Sequence, residues 1–202
     1  MKRDRLFSRV VSSIITEYRG ITFMEFNKTV SNPMLVGCIE LVKAEDTPEH
    51  RNMFVAELLK ASFQAPAVID PEPVADAEGK LTITPGGKVQ FPMLSTPDGR
   101  KFFMGFTDPV EYKKWAATSK DLPFFSLKFD DYANMIFRKD AQGNECPALG
   151  FVINPMGANV VVPKEMIAGI MATRIAQAKQ MAAKRASQHK PTVVPAPPTE
   201  TK

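Results

Sequence analysis

The run FVINPMGANVVVP, residues 151–163, constrains the fold more than any other stretch of this chain. Two β-branched, apolar segments flank a knot of Asn154, Pro155, Met156, Gly157, Ala158 and Asn159. Branched side chains suit a pleated, half-buried surface, and Pro155 biases Asn154 toward an extended conformation. Asn side chains cap backbone groups in tight turns, and Gly157 is the residue expected to supply positive φ. The stretch therefore reads as strand, rigid turn, strand. A chain that carries it needs a sheet, and the remaining elements must cover that sheet.

Helical cover is announced twice near the start. Asn32-Pro33 and Thr47-Pro48 each place a good N-cap before a proline at the first helical position, where the missing N–H costs nothing. Leu35, Ile39 and Val42 then share one face of the first helix, and Phe54, Leu58 and Leu59 share one face of the second. The short EDT link predicts an antiparallel helical hairpin. Beyond Ala65, APAVID reads as a strand that ends in the polar loop DPEPVADAEGK. LTIT and VQFPML bracket PGG as a hairpin, and STPDGR turns the chain into a further strand, KFFMGF. Asp108, Pro109 and Glu111 open the next helix as cap, first-turn proline and capping-box acid. FSLKF, the helical DDYANMIFRK, ALGFVI and NVVV follow, and a long helix starts at Lys164. This order predicts a single α+β domain with a mixed, mostly antiparallel sheet flanked by helices.

The ends differ from the middle. Of 202 residues 44 % are hydrophobic, enough to bury a core. Residues 1–24 hold five basic and two acidic residues, residues 174–202 six and one, and residues 25–173 fifteen and nineteen. The net +4 therefore belongs to the ends, and a mildly acidic body argues against a nucleic-acid-binding face. Residues 1–24 read as a basic extension with a short amphipathic helix, and Met24 is an alternative start of the native chain. The stripe Met166, Ile167, Ile170, Met171 and Ile175 is continued only by Ala178, Met181 and Ala182, and the residues from Arg174 on are mostly Ala, Gln, Lys and Arg, good helix formers with little to bury. Residues 173–188 are thus expected to form a projecting, charged helix, and residues 189–202 a Pro-rich disordered tail. No stretch approaches the roughly 18 apolar residues of a membrane span. Two cysteines, Cys38 and Cys146, build no disulfide framework, and a reducing cytoplasm is the default setting.

His50 and His189 have no plausible triad partner nearby, and two His with two scattered Cys match no zinc spacing. Gly86, Gly87 and Lys88 lack the spacing, the hydroxyl and the following helix of a phosphate loop. Asp130 and Asp131 suit a helix start better than a catalytic pair. Catalytic residues, metal ligands and cofactors are accordingly expected to be none.

In order along the chain, NPMLVGCIELVKAEDTPEHRNMFVAELLKASFQAP, KVQFPMLSTPDGRKFFMGFTDPVEYKKW and LGFVINPMGANVVVPKEMI resemble the N-terminal domain of the SseB family, the enhanced serine sensitivity proteins, over residues 31–172. The resemblance implies a cytoplasmic bacterial protein of α+β fold with no established enzymatic activity and no catalytic residues to carry over. Longer members carry a second domain where this chain has its charged helix and tail.

The expected function is therefore a non-enzymatic interaction or regulatory protein. It would bind a protein partner, or associate with itself, through the C-terminal helix or the folded body. Phe106, Trp115 and the Asn-rich turn are the candidate surface on the body, although Trp115, a large aromatic beside apolar neighbours, reads first as core. The alternative is a sensor of a small polar, amino-acid-like metabolite bound by Asn154, Gly157 and Asn159, whose first reading is nonetheless a structural turn.

Overall fold

The computed structural model describes residues 9–11, 25–26, 28–72, 74–75, 81–82, 87–119 and 121–188. Most of the N-terminal extension and the whole of the tail, 189–202, lie outside them. The chain divides into two compact units, Met1–Lys164 and Glu165–Lys202.

In the first unit the elements run β1 (Arg9–Val11), β2 (Glu25–Phe26), α1 (Pro33–Ala44), α2 (Pro48–Lys60), β3 (Ser62–Pro66), β4 (Val68–Asp70), β5 (Val74–Ala75), β6 (Leu81–Thr82), β7 (Lys88–Gln90), β8 (Met93–Ser95), β9 (Lys101–Gly105), α3 (Pro109–Ala116), β10 (Phe124–Lys128), α4 (Phe129–Phe137), β11 (Ala148–Ile153) and β12 (Val160–Pro163). A five-stranded sheet has the order β1-β8-β9-β11-β12, and a three-stranded sheet the order β2-β10-β3. Every pairing is antiparallel except β9 with β11. The fold is α+β with a mixed, mostly antiparallel sheet.

Local chemistry accounts for most of the boundaries. Pro33, Pro48 and Pro109 each sit at a helix start. Thr47 accepts from the His50 N–H at 3.1 Å, and Asp108 accepts from Val110 and Glu111 at 2.9 and 3.0 Å. Asp131 accepts from the Lys128 N–H at 2.7 Å, which holds the first turn of α4. The DG turn joins β8 to β9, with Gly99 at φ 83°.

Two sequence expectations change. β7 pairs with β4, not with β6, which pairs with β5. The two pairs are nested along the chain, so the strands expected to flank a PGG hairpin pair with other strands; Pro85 and Gly86 themselves lie outside the described residues. Arg9–Val11, expected in a short helix, is an edge strand on β8, as its β-branched valines permit.

Side chains alternate along β9, so the strand serves two cores. On one face Met104 joins Leu94, Phe106, Tyr112 and Trp115 beneath α3. On the other, Phe63 and Tyr132 lie over Gly105. There Tyr132 stacks on Phe151 at 4.3 Å, and Phe63 meets both rings edge-on. That trio joins β3, α4 and β11, and each such contact adds about 0.5–1.5 kcal/mol to plain burial. Leu35 and Ile39 of α1 and Phe54 and Leu58 of α2 are buried as their spacing predicted, with Cys38 buried beside them, while Val42 and Leu59, expected on the same faces, are half-buried.

The register of β11 shifts between Ala148 and Phe151, and Gly150 there has φ 143°. A β-carbon on Gly150 would overlap the Val162 carbonyl of β12 and lie 2.9 Å from Pro163 Cα. Backbone on both sides leaves no soft neighbour to yield. Gly150→Ala is expected to lose at least about 2 kcal/mol of stability, measured by urea denaturation; an unchanged midpoint would show that the strands separate freely here.

The described part of the second unit is helical. α5 (Lys164–Gln188) runs for 25 residues, beginning at the last residue of the first unit. Ile167 is buried, and every residue from 172 to 185 is exposed. No helix among the described residues is long and apolar enough to cross a membrane.

Candidate functional site

β9 and β11 run parallel, so their carboxyl ends emerge side by side. From β9 the chain passes through Phe106 and Thr107 into α3, and from β11 it enters the turn 154–159. The two exits are tied to each other. The Asn154 N–H donates to the Gly105 carbonyl at 2.9 Å. Its side-chain oxygen accepts from the Thr107 N–H at 2.9 Å, and its amide nitrogen donates to Thr107 Oγ1 at 2.8 Å. Thr107 Oγ1 in turn donates to Asp108, the cap of α3, at 2.8 Å.

The Thr107 carbonyl reaches a third element. Asn32 Nδ2 donates to it and to the Ser62 carbonyl, both at 2.7 Å, while Asn32 Oδ1 accepts from the Ser62 N–H at 3.3 Å. Asn32 precedes α1 as the sequence predicts, but its side chain makes no cap bond. It is a tertiary tie in a cap's position. Thr107 and Asn154 are buried, so their polar groups need these partners.

The turn itself departs from expectation. Positive φ falls on Asn154 at 51° and Asn159 at 50°, and Gly157 is not in that region. The Asn154 carbonyl accepts from the N–H groups of Gly157 and Asn159 at 2.9 and 2.8 Å, closing the knot. Gly157 serves a different need, because a β-carbon there would overlap the Glu111 carboxylate. Glu111 does not complete a capping box. Its Oε1 pairs with Lys114, and its Oε2 lies buried against the turn without a hydrogen-bond partner. Asn159 Oδ1 is likewise buried and unpartnered. Lys43 of α1 donates to the Ala158 carbonyl.

Of the candidate site residues, the structure brings Asn154, Gly157 and Asn159 together, as their adjacency requires. It takes Phe106 and Trp115 out of any surface. They are 0 % and 3 % exposed, packed with each other at 5.6 Å and with Tyr112. These two are core residues of α3's underside, which corrects the expectation that they contact a partner. Asn32, Lys43, Thr107 and Glu111 belong to the site and were not foreseen. Asn32 looked like an ordinary cap, and nothing in the sequence around Thr107 indicates that a residue 47 positions away completes its bonding.

Chemically the arrangement is better suited to holding shape than to moving protons. Asp108 occupies the amides at the start of α3, where an anion would otherwise bind. Burial, and then the nearby Asp121 charge, push the Tyr112 phenol up to about 12, so it stays protonated at neutral pH. Burial also raises the Cys38 and Cys146 thiols, which favours the unreactive form. Among the described residues no group of three or more His, Cys, Asp or Glu could hold a metal ion. A cavity of about 150 Å³ beside Asn32, lined also by Met34, Leu35, Glu57 and Lys60, is smaller than the roughly 300 Å³ usual for a small-molecule site.

The family model of the SseB protein N-terminal domain matches residues 36–169. The chain belongs to the SseB family. That match runs from within α1 to the first turns of α5, so the Thr107–Asn154 tie lies inside the SseB domain, while Asn32 lies just before the matched span. No curated protein and no solved structure matches the chain.

Asn154 carries both a left-handed backbone and two buried hydrogen bonds, and these separate by substitution. Asn154→Gly keeps the backbone and strands the Thr107 N–H, for a loss of about 1–3 kcal/mol. Asn154→Ala adds the left-handed penalty of about 1–2 kcal/mol. Thermal denaturation should therefore rank wild type above Gly above Ala; equal midpoints for Gly and Ala would mean that the turn relaxes its backbone.

Proposed function

We propose that this SseB-family chain is a non-enzymatic, cytoplasmic partner-binding protein in which α5 is the binding element. The observation that carries this reading is the run 172–185, exposed along its whole length, with Ile175 at 53 % and Met181 at 60 %. An isolated helix of that length is marginal in water, and a helix that keeps large apolar side chains in solvent gains stability when a partner covers them. Comparison of the full chain with one ending at Thr173 tests this directly. A partner identified from native lysate should be retained by the full chain and lost by the truncated one; retention by both would move the binding surface to the body.

A second reading rests on Glu111 Oε2 and Asn159 Oδ1, two buried acceptors without partners on either side of one turn. Such atoms suit a donor-bearing polar ligand, with amino acids as the first panel. A ligand that binds only the folded state raises its melting temperature. Asn159→Gly tolerates the positive φ and removes one acceptor, so it should abolish any such shift; a shift that persists in this variant would place the ligand elsewhere.

A further inference from the structure

The exposed half of α5 has a pattern that specifies what can cover it. Ile175, Ala178, Met181 and Ala182 fall at i, i+3, i+6 and i+7, which is one face of a helix. Arg174 and Arg185 stand at the two ends of that stripe, and Lys179 and Lys184 lie along its sides. From 166 to 188 there is no acidic residue. A narrow apolar strip is thus enclosed by cations of one sign.

We infer that the occupant of this face is a helical groove of a protein partner, apolar at its floor and acidic at its rim. This inference rests on the proposal that α5 is the binding element and adds the partner's chemistry. The acidic rim follows from charge complementarity, since a groove edged with Lys or Arg would meet like charges at four positions. A second copy of the same helix is disfavoured on that ground, because pairing would set four cations against four. The groove follows from the side chains. Ala178 and Ala182 let another backbone come close between Ile175 and Met181, an advantage realised against packed helices. A bilayer surface draws on larger apolar groups such as Trp, Phe and Leu, which α5 lacks.

The test places a photo-reactive phenylalanine at Ala178, and separately at Met181, in the full chain expressed in its own cells. Mass spectrometry of the adducts then identifies the cross-linked segment. The expected adduct is a protein whose contacted segment carries more Asp and Glu than Lys and Arg. Its binding to the purified full chain should weaken about tenfold when Arg174, Lys179, Lys184 and Arg185 are all changed to Gln, and should fall with added salt. These positions are exposed, and an unchanged melting temperature of the Gln variant confirms that the fold is intact. An adduct with a neutral or basic protein segment overturns the inference and leaves α5 as the binding element. Adducts with a second copy, with lipid or with nucleic acid overturn it too, and no adduct at either position overturns both proposals.

Discussion

Thr107 is the point on which the first unit depends. It is a buried residue whose N–H, carbonyl and hydroxyl are each engaged by a different part of the chain: Asn154 after β11, Asn32 before α1, and Asp108 at the start of α3. A backbone segment leaving a strand would ordinarily satisfy these groups with water. Inside the protein each must find a partner or cost about 1–3 kcal/mol. The one parallel pair, β9 and β11, makes this solution available because it brings two strand exits to the same edge. One step earlier, Phe106 exchanges both of its backbone hydrogen bonds with Gln64, so the three-stranded sheet is fastened at the same junction.

The consequence is a rigid turn. The left-handed residues Asn154 and Asn159 are held by the bonds they make, and Gly157 admits the Glu111 side chain from α3. Strained backbone at a functional site needs surroundings that over-determine it, and this junction supplies them. What the turn has left over is acceptor capacity, on Glu111 and Asn159.

Much of this was legible in the sequence because it is local. A proline at the starts of α1, α2 and α3, Thr47 and Asp108 as caps, the DG turn and most of the apolar faces of α1 and α2 act over a few residues, and the structure shows them where the spacing put them. Errors arose where one local signal had two solutions. The stretch around PGG reads locally as a hairpin between β6 and β7, yet β7 pairs with β4 and β6 with β5. Phe106 and Trp115 could cover a core or form a surface, and only the position of α3 over Met104 decides for the core.

The amino-acid sequence by itself determined the α+β class, the SseB resemblance, the starts of α1, α2 and α3, the strand–turn–strand at 151–163 and the apolar strip on the last helix, since each is written in residues close together in the chain. Tertiary structure alone decided that Asn32 is a tie between distant backbones, that positive φ falls on the two asparagines, and that Gly157 exists to receive Glu111. Those outcomes depend on partners 30 to 75 residues away across the junction, and no periodicity or propensity records which distant group a buried amide will meet.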